Sequence, residues 1–283
     1  MFGNFSNNTL VRSSYEKVLE AGFIPRRPFA HFFMNTEGIK SRIHLQNYYS
    51  MFFPDTLVDA EATVWLHDLA GNLIVKKSFM VKPFGQLYLD MEDIAGYDLQ
   101  SEGMVYVDLK PPAAIRKQLK TIPNLLGMES NTPFWVSYRD VNDNYMYVHS
   151  IETYKGKVFG AIWPLNKLME RAAPSRPAWE SWRVLDVQLL DELQIVAMNH
   201  SLVPGNSTLN VIGDDGQVLF SEDFSLNERQ TVRLIVPGEK IAEWKKNKTT
   251  ETIRVGLDPV FSGNGKPYVL MRYGGGPLSM HHG

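Results

Sequence analysis

The sequence predicts an all-β protein made of tandem, duplicated antiparallel β-sandwich domains. Three observations carry that expectation. Two hairpin signatures, ATVWLHDLAGNLIVKKSFMV (62–81) and STLNVIGDDGQVLFSEDFSL (207–226), share one form: two strand-forming runs around a glycine turn, at Ala70-Gly71-Asn72 and at Asp214-Asp215-Gly216. Residues of the first half recur in order in the second. Short strand signals separated by turns dominate, whereas helix start and stop signals are few.

The recurrence is read by sliding one half onto the other. A shift of 145 places Thr63 on Thr208, Gly71 on Gly216, Leu73 on Val218, Phe79 on Phe224, Val81 on Leu226 and Leu89 on Leu234. Ile43 and Asn47 fall on Ile195 and Asn199 at a shift of 152. Val105, Val107, Leu109 and Pro111 fall on Ile253, Val255, Leu257 and Pro259 at 148, which adds three residues to the second copy near Glu243-Trp244-Lys245-Lys246. Trp135, Val136, Arg139 and His149 fall on Tyr268, Val269, Arg272 and His282 at 133. The length changes lie where loops belong, and the apolar alternation stays in phase across both hairpins.

These matches set the expected organisation. Residues 1–24 form an N-terminal helical segment, with SSYEKVLEA (13–21) capped by serine and stopped at Gly22. The first sandwich covers 25–150, with a short helix over AAIRKQLK (113–120), and the second covers 190–283. The intervening 151–189 is a connector with Pro164, Pro174 and Pro177 among Trp163, Trp179 and Trp182. Flexible linkers avoid large aromatics, so this connector is expected to be pinned against the domains.

Composition narrows the function classes. A chain of 283 residues with 44% hydrophobic and 21% charged residues is globular and long enough for two cores. A formal charge of -2 gives no electrostatic reason to expect nucleic acid, whose binding rests on clustered Lys and Arg. The absence of Cys removes disulfides, thiolate nucleophiles and Cys-ligated metal centres. Neither a leader pattern at the N-terminus nor a run of 18 apolar residues is present, so a soluble, cytoplasmic protein without membrane contact is expected.

Residues 47–94 carry an Asn, a loop, an AxVxLxDxxG run, an apolar strand reaching Pro, and then LYLDMEDI. That order resembles the sensory rhodopsin transducer-like β-sandwich domain, an immunoglobulin-like fold, and PFWVSYRD (133–140) resembles the family's closing strand. The resemblance implies a cytoplasmic, non-enzymatic protein that contacts partners and oligomerises. It assigns no binding residue.

Catalytic patterns are sparse. No GxSxG elbow is present, and Gly274-Gly275-Gly276 lacks the Lys-Ser/Thr of a P-loop. Asp90, Glu92 and Asp93 read as a solvated strand end. His149, His281 and His282 are the candidate ligands for a divalent metal, although His281 and His282 are adjacent on a strand and point to opposite faces. The HxH pair of the bicupins is missing. Arg139 and Arg272, at equivalent places in the two copies, are candidates to engage an anion. Tyr48, Tyr49, Phe52 and Phe53 form either a partner- or sugar-binding cluster or a lid over the end of the first sandwich.

The expected function is therefore a non-catalytic binding or assembly protein that needs no cofactor. Its partner is a protein or a second copy of the chain, and carbohydrate is a further candidate. The rival is a metal-dependent enzyme using the histidines at the ends of the repeats.

Overall fold

The computed structural model describes residues 29–115, 118, 134–152, 183–199, 204–227, 229–258 and 267–282. The expected helix at 13–21 and nearly all of the tryptophan-rich connector lie outside these residues. Of the expected helix at 113–120, a 3-10 turn at Ala113–Ile115 is described.

The protein is all-β, and its described residues form four antiparallel sheets. The strands of the first half are β1 (Phe29–Asn35), β2 (Ile39–Gln46), β3 (Ala60–Asp68), β4 (Leu73–Val81), β5 (Gln86–Asp90), β6 (Ser101–Lys110), β7 (Phe134–Asp140), β8 (Tyr145–His149) and β9 (Ile151–Glu152). Those of the second half are β10 (Arg183–Asp186), β11 (Leu190–Met198), β12 (Gly205–Gly213), β13 (Val218–Leu226), β14 (Thr231–Ile235), β15 (Thr252–Asp258), β16 (Tyr268–Tyr273) and β17 (Leu278–His282). Strands β9 and β10 lie inside 151–189, the stretch read as connector.

Sheet A has the order β4-β3-β6-β1-β9 and sheet B the order β5-β2-β7-β8. Sheet C, β10-β15-β12-β13, and sheet D, β14-β11-β16-β17, repeat these orders strand for strand, apart from β9. Both hairpins form as expected, with Gly71 at φ 86° and Gly216 at φ 87°, a backbone region open to glycine without strain. Each hairpin carries a bulge at the same place, between Leu66 and His67 in one and between Val211 and Ile212 in the other.

Register corrects one part of the alignment. Thr63 pairs with Asp108, whereas Thr208 pairs with Asp258, so β6 matches β15 at a shift of 150 rather than 148. A slip of two residues leaves every side chain on its own face, so the apolar alternation cannot detect it. Between these strands the second half is therefore longer by five residues (150 minus 145). That equals the difference between its helix Gly238–Asn247, of 10 residues, and the first half's Met91–Ala95, of 5. The recurring asparagines do one job twice. Asn47 Nδ2 donates to the carbonyls of Val58 and Val81 at 3.0 and 3.1 Å, and Asn199 Nδ2 to those of Leu226 and Asn227 at 3.3 and 3.0 Å. Each ties the end of one sheet to the end of the other.

Sheets A and B enclose one core, built from inward residues such as Val64, Val105, Val107, Ile43, Leu45 and Val136. Sheets C and D enclose a second, with Leu209, Val211, Val255, Ile195, Val269 and Met271. Sheet D also uses its opposite face. Val196, Met198, Tyr268, Leu270, Leu278 and Met280 belong to the first core cluster, packed with sheet A residues such as Phe32, Met34 and Met104. The sheets thus stack in the order B, A, D, C.

Polar contacts mark the rim of this A–D interface. Thr231 N–H donates to Leu69 O at 2.9 Å, and Arg233 reaches Glu102 at 3.1 Å. Deep inside the interface the buried His31 ring lies 4.6 Å from that of Tyr268, and on the other side of sheet A the Tyr138 hydroxyl of sheet B donates to Phe32 O.

His67 is buried in the same interface, edge-on to Tyr106 at 5.1 Å. Burial, then the positive charge of Arg229, pushes its pKa below the ordinary 6.5, against an opposing effect of Asp68. A histidine whose folded pKa is depressed stabilises the fold fully above its unfolded value and loses that stabilisation as pH falls below about 6.5. The unfolding midpoint is expected to drop between pH 7.5 and 5, and to drop less in His67→Gln. Thermal melts of both proteins across that range test this, and identical pH profiles would remove His67 from the account.

Candidate functional site

Strand alternation sends every second residue of sheet B away from the core. On the outer face this leaves Arg42, His44 and Gln46 of β2, Gln86, Tyr88 and Asp90 of β5, Trp135, Ser137 and Arg139 of β7, and Tyr145, Tyr147 and His149 of β8. Register orders them in cross-strand rows. Tyr88, His44, Trp135 and His149 stand side by side across all four strands, and Asp90, Arg42, Ser137 and Tyr147 form the next row.

The rings of this face touch in two groups. His44 meets Tyr88 edge-on at 5.1 Å and Tyr147 at 5.3 Å, Trp135 meets His149 edge-on at 5.6 Å, and Tyr145 stacks on Tyr147 at 6.3 Å. Four of these rings are open to solvent: Tyr88 is 53% exposed, Trp135 45%, Tyr145 52% and Tyr147 57%. An open cluster of large aromatics on one sheet face is the usual mark of a contact surface.

The second row is polar, and its Arg42, Asp90 and Ser137 side chains are hydrogen-bonded on the face. Arg42 grips Asp90 through two hydrogen bonds of 2.7 and 2.8 Å, which hold the Asp90 carboxyl below the usual carboxylate range against the opposing effect of burial. His44 Nε2 and Ser137 Oγ share a hydrogen bond of 2.7 Å. Burial, then the neighbouring Arg42 charge, lowers the His44 pKa and favours its neutral ring. Asp90 also begins the helix Met91–Ala95, and its N–H is taken by Asp93 at 3.2 Å. The acidic cluster read as a solvated strand end is thus partly a helix start.

The sequence-predicted residues are distributed unevenly. His149 belongs to the ring row, and its Nδ1 lies 2.9 Å from Ser150 O. His282 takes the equivalent register position opposite Tyr268, as Trp135 stands opposite His149, so the predicted equivalence holds. The side chain of His282 lies outside the described residues. His281 pairs with Val269 on sheet D and is exposed there. Among the described residues no three His, Cys, Asp or Glu side chains gather as a metal would require.

Arg139 and Arg272 also occupy equivalent positions, on different sheets. Arg139 is an exposed neighbour of Asp143 at 3.9 Å, whereas Arg272 donates to Glu192 and to Gly276 O at 3.1 and 3.0 Å. The cluster at 48–53 folds mainly as a lid. Tyr49 is buried with its hydroxyl on Leu109 O at 2.8 Å, Tyr48 and Phe53 pack partly against the core, and Phe52 remains exposed. Sequence reasoning passed over Tyr88, Trp135, Tyr145, Tyr147 and His44. The signal was present in Tyr145-x-Tyr147-x-His149, rings at a spacing of two.

A separate cleft of about 570 Å³ at the end of sheet A is lined by Thr36, Glu37, Asp68, Leu69, Gln100 and Glu102, among others. Its Glu102 is bound to Arg233, and its Asp68 accepts the Asn72 N–H of the hairpin turn at 2.8 Å. These carboxylates serve the interface and the turn.

No family model and no curated protein matches the chain. Among solved structures it is similar to the M60 catalytic domain with the CBM51-1 and CBM51-2 domains from Clostridium perfringens ZmpB, at 8% identity over 84% of this chain and 32% of that one, with a TM-score of 0.19. A beta-glucuronidase from glycoside hydrolase family 2 follows at 10% identity over 89% and 23%, with a TM-score of 0.17. Vicilin from Capsicum annuum is similar at 10% identity over 92% and 76%, with a TM-score of 0.19. The chain spans about a third and a quarter of the first two. Likenesses this low assign neither topology nor function. Among the described residues no helix is long and apolar enough to cross a membrane.

Proposed function

We propose that this is a non-catalytic binding protein whose working surface is the outer face of sheet B, with the second sandwich docked behind the first as a brace. One observation carries the reading. At equivalent registers, covered sheet D has Val196, Leu270, Leu278 and Met280 where open sheet B has His44, Ser137, Tyr145 and Tyr147. At these four positions the covered face has the aliphatic chemistry of permanent burial, with the Tyr268 ring among them and the Arg233–Glu102 pair beside them. The open face has rings and hydrogen-bonding groups suited to reversible contact. In this reading the repeated strand order reflects duplication of one sandwich. The protein acts in the cytoplasm through contacts, as its resemblance to the sensory rhodopsin transducer-like domain implies.

A Trp135→Ala/Tyr147→Ala protein tests the surface. Both rings are largely exposed, so its melting temperature is expected to stay within a few degrees of the original. Binding of the unaltered chain on glycan and protein arrays, and its self-association by light scattering, are expected to be lost together with the two rings. Binding that survives the double substitution would place the site elsewhere, and an unaltered chain that binds nothing and stays monomeric would end the reading.

A further inference from the structure

We infer that the ligand of this face is an uncharged glycan, an inference that rests on the binding surface proposed above and names its occupant. Charge is the first argument. The ionic groups of the face are paired on the protein: Arg42 with Asp90 at 2.7 Å, Lys40 with Glu92 at 2.9 Å, and Arg139 near Asp143 at 3.9 Å. Among the described residues each of these charges has an opposite charge within 4 Å, so the complementary occupant is neutral.

Shape and chemistry supply the second argument. The row Tyr88, His44, Trp135, His149 crosses four strands, a straight track of about 14 Å at the usual strand spacing. A pyranose ring presents a C–H face that packs on aromatic π-faces and a rim of hydroxyls that both donate and accept. The parallel row Asp90, Arg42, Ser137 and Tyr147 offers carboxylate, guanidinium and hydroxyl groups along the same track. A sugar chain laid across the strands meets rings on one side and hydrogen-bonding groups on the other.

A protein partner is a poorer fit. A stable protein interface is driest at its centre, and charged residues are depleted there. Here the Arg42–Asp90 pair lies within the patch, between the Tyr88 and Tyr147 rings of neighbouring rows. Sheet D meets sheet A with Val196, Met198, Leu270, Leu278 and Met280 around the Tyr268 ring, and its Arg233–Glu102 ion pair is partly exposed.

Affinity electrophoresis of the full chain in gels containing soluble xyloglucan, galactomannan, arabinoxylan, a β-1,3-glucan or dextran tests the inference, with polygalacturonate as the acidic comparison. At least one neutral polysaccharide is expected to retard the protein, equally at low and high salt because no ion pairing is involved. Trp135→Ala and Tyr147→Ala are each expected to weaken that retardation on the order of ten-fold. Arg254→Ala on the far face of sheet C is expected to leave it unchanged. Absence of retardation by every neutral polysaccharide, or retardation only by polygalacturonate and only at low salt, would overturn the glycan assignment. In that case self-association or protein binding abolished by Trp135→Ala leaves the binding surface standing. Retardation that both face variants retain in full would overturn the assignment and the surface together.

Discussion

Replacing Leu270 with Asp is expected to undock the two sandwiches and to turn one cooperative unfolding transition into two. Leu270 is fully buried, on the face of sheet D that packs against sheet A. Its equivalent in sheet B is Ser137, since both stand one residue beyond matched valines, Val136 opposite Ile43 and Val269 opposite Ile195. A polar residue at this register is therefore compatible with an intact sandwich. What it opposes is burial of the face. An unpaired carboxylate inside an apolar interface carries an effective penalty of several kcal/mol, enough to outweigh docking.

The unaltered protein should unfold in one step, because Phe32, Met104, Val196, Met198 and Leu270 are fully buried and belong to the same cluster as the first core. The variant should show two calorimetric peaks, bind a hydrophobic dye and have a larger radius of gyration in solution scattering. A variant with a single transition at the original temperature would show that sheets A and D do not hold the halves together.

Much of the fold was legible in the sequence because hairpin turns and period-two alternation are local signals. Gly71 and Gly216, Asn47 and Asn199, Arg139 and Arg272 all take equivalent places. The slip between β6 and β15 was not legible, since alternation repeats every two residues and cannot distinguish Val107 over Val255 from Val107 over Leu257.

The site was hidden for a related reason. Alternation shows that Trp135, Ser137 and Arg139 share a face, but whether a sheet's outer face stays open depends on what packs against it. Sheets B and D have the same strand order, and only one is covered. The consecutive aromatics Tyr48, Tyr49, Phe52 and Phe53 drew attention because they are adjacent in sequence. The exposed rings are adjacent only across strands, where pairing, not proximity along the chain, sets the neighbours.

Gly103 is the position where the smallest substitution is expected to do the most damage. A Cβ placed on it would lie 1.9 Å from the carbonyl oxygen of His67 and 3.0 Å from the Asp68 Cα. Both are backbone atoms of β3, held at the bulge beside the hairpin turn, so no side chain can swing away to make room. The second sandwich does not share this crowding: a Cβ on its Gly213 would meet side-chain atoms, Asp215 Oδ1 at 3.1 Å and Thr250 Oγ1 at 3.3 Å. Where Asp68 faces Gly103 in the first, Gly213 faces Ile253 in the second, so one glycine remains in each pair and its position is exchanged. Gly103→Ala should therefore cost about 3 kcal/mol or more, at the upper end of the range for overpacking. Removing the facing side chain is a control. Asp68→Gly is not expected to rescue Gly103→Ala, because the contact at 1.9 Å is with the His67 carbonyl oxygen, which that substitution leaves in place. It should add a cost of its own, because Asp68 Oδ1 accepts the Asn72 N–H at 2.8 Å and glycine cannot. Denaturant titration of the single and double variants measures both costs. A Gly103→Ala protein as stable as the original, or one restored by Asp68→Gly, would show that the crowding does not come from the β3 backbone.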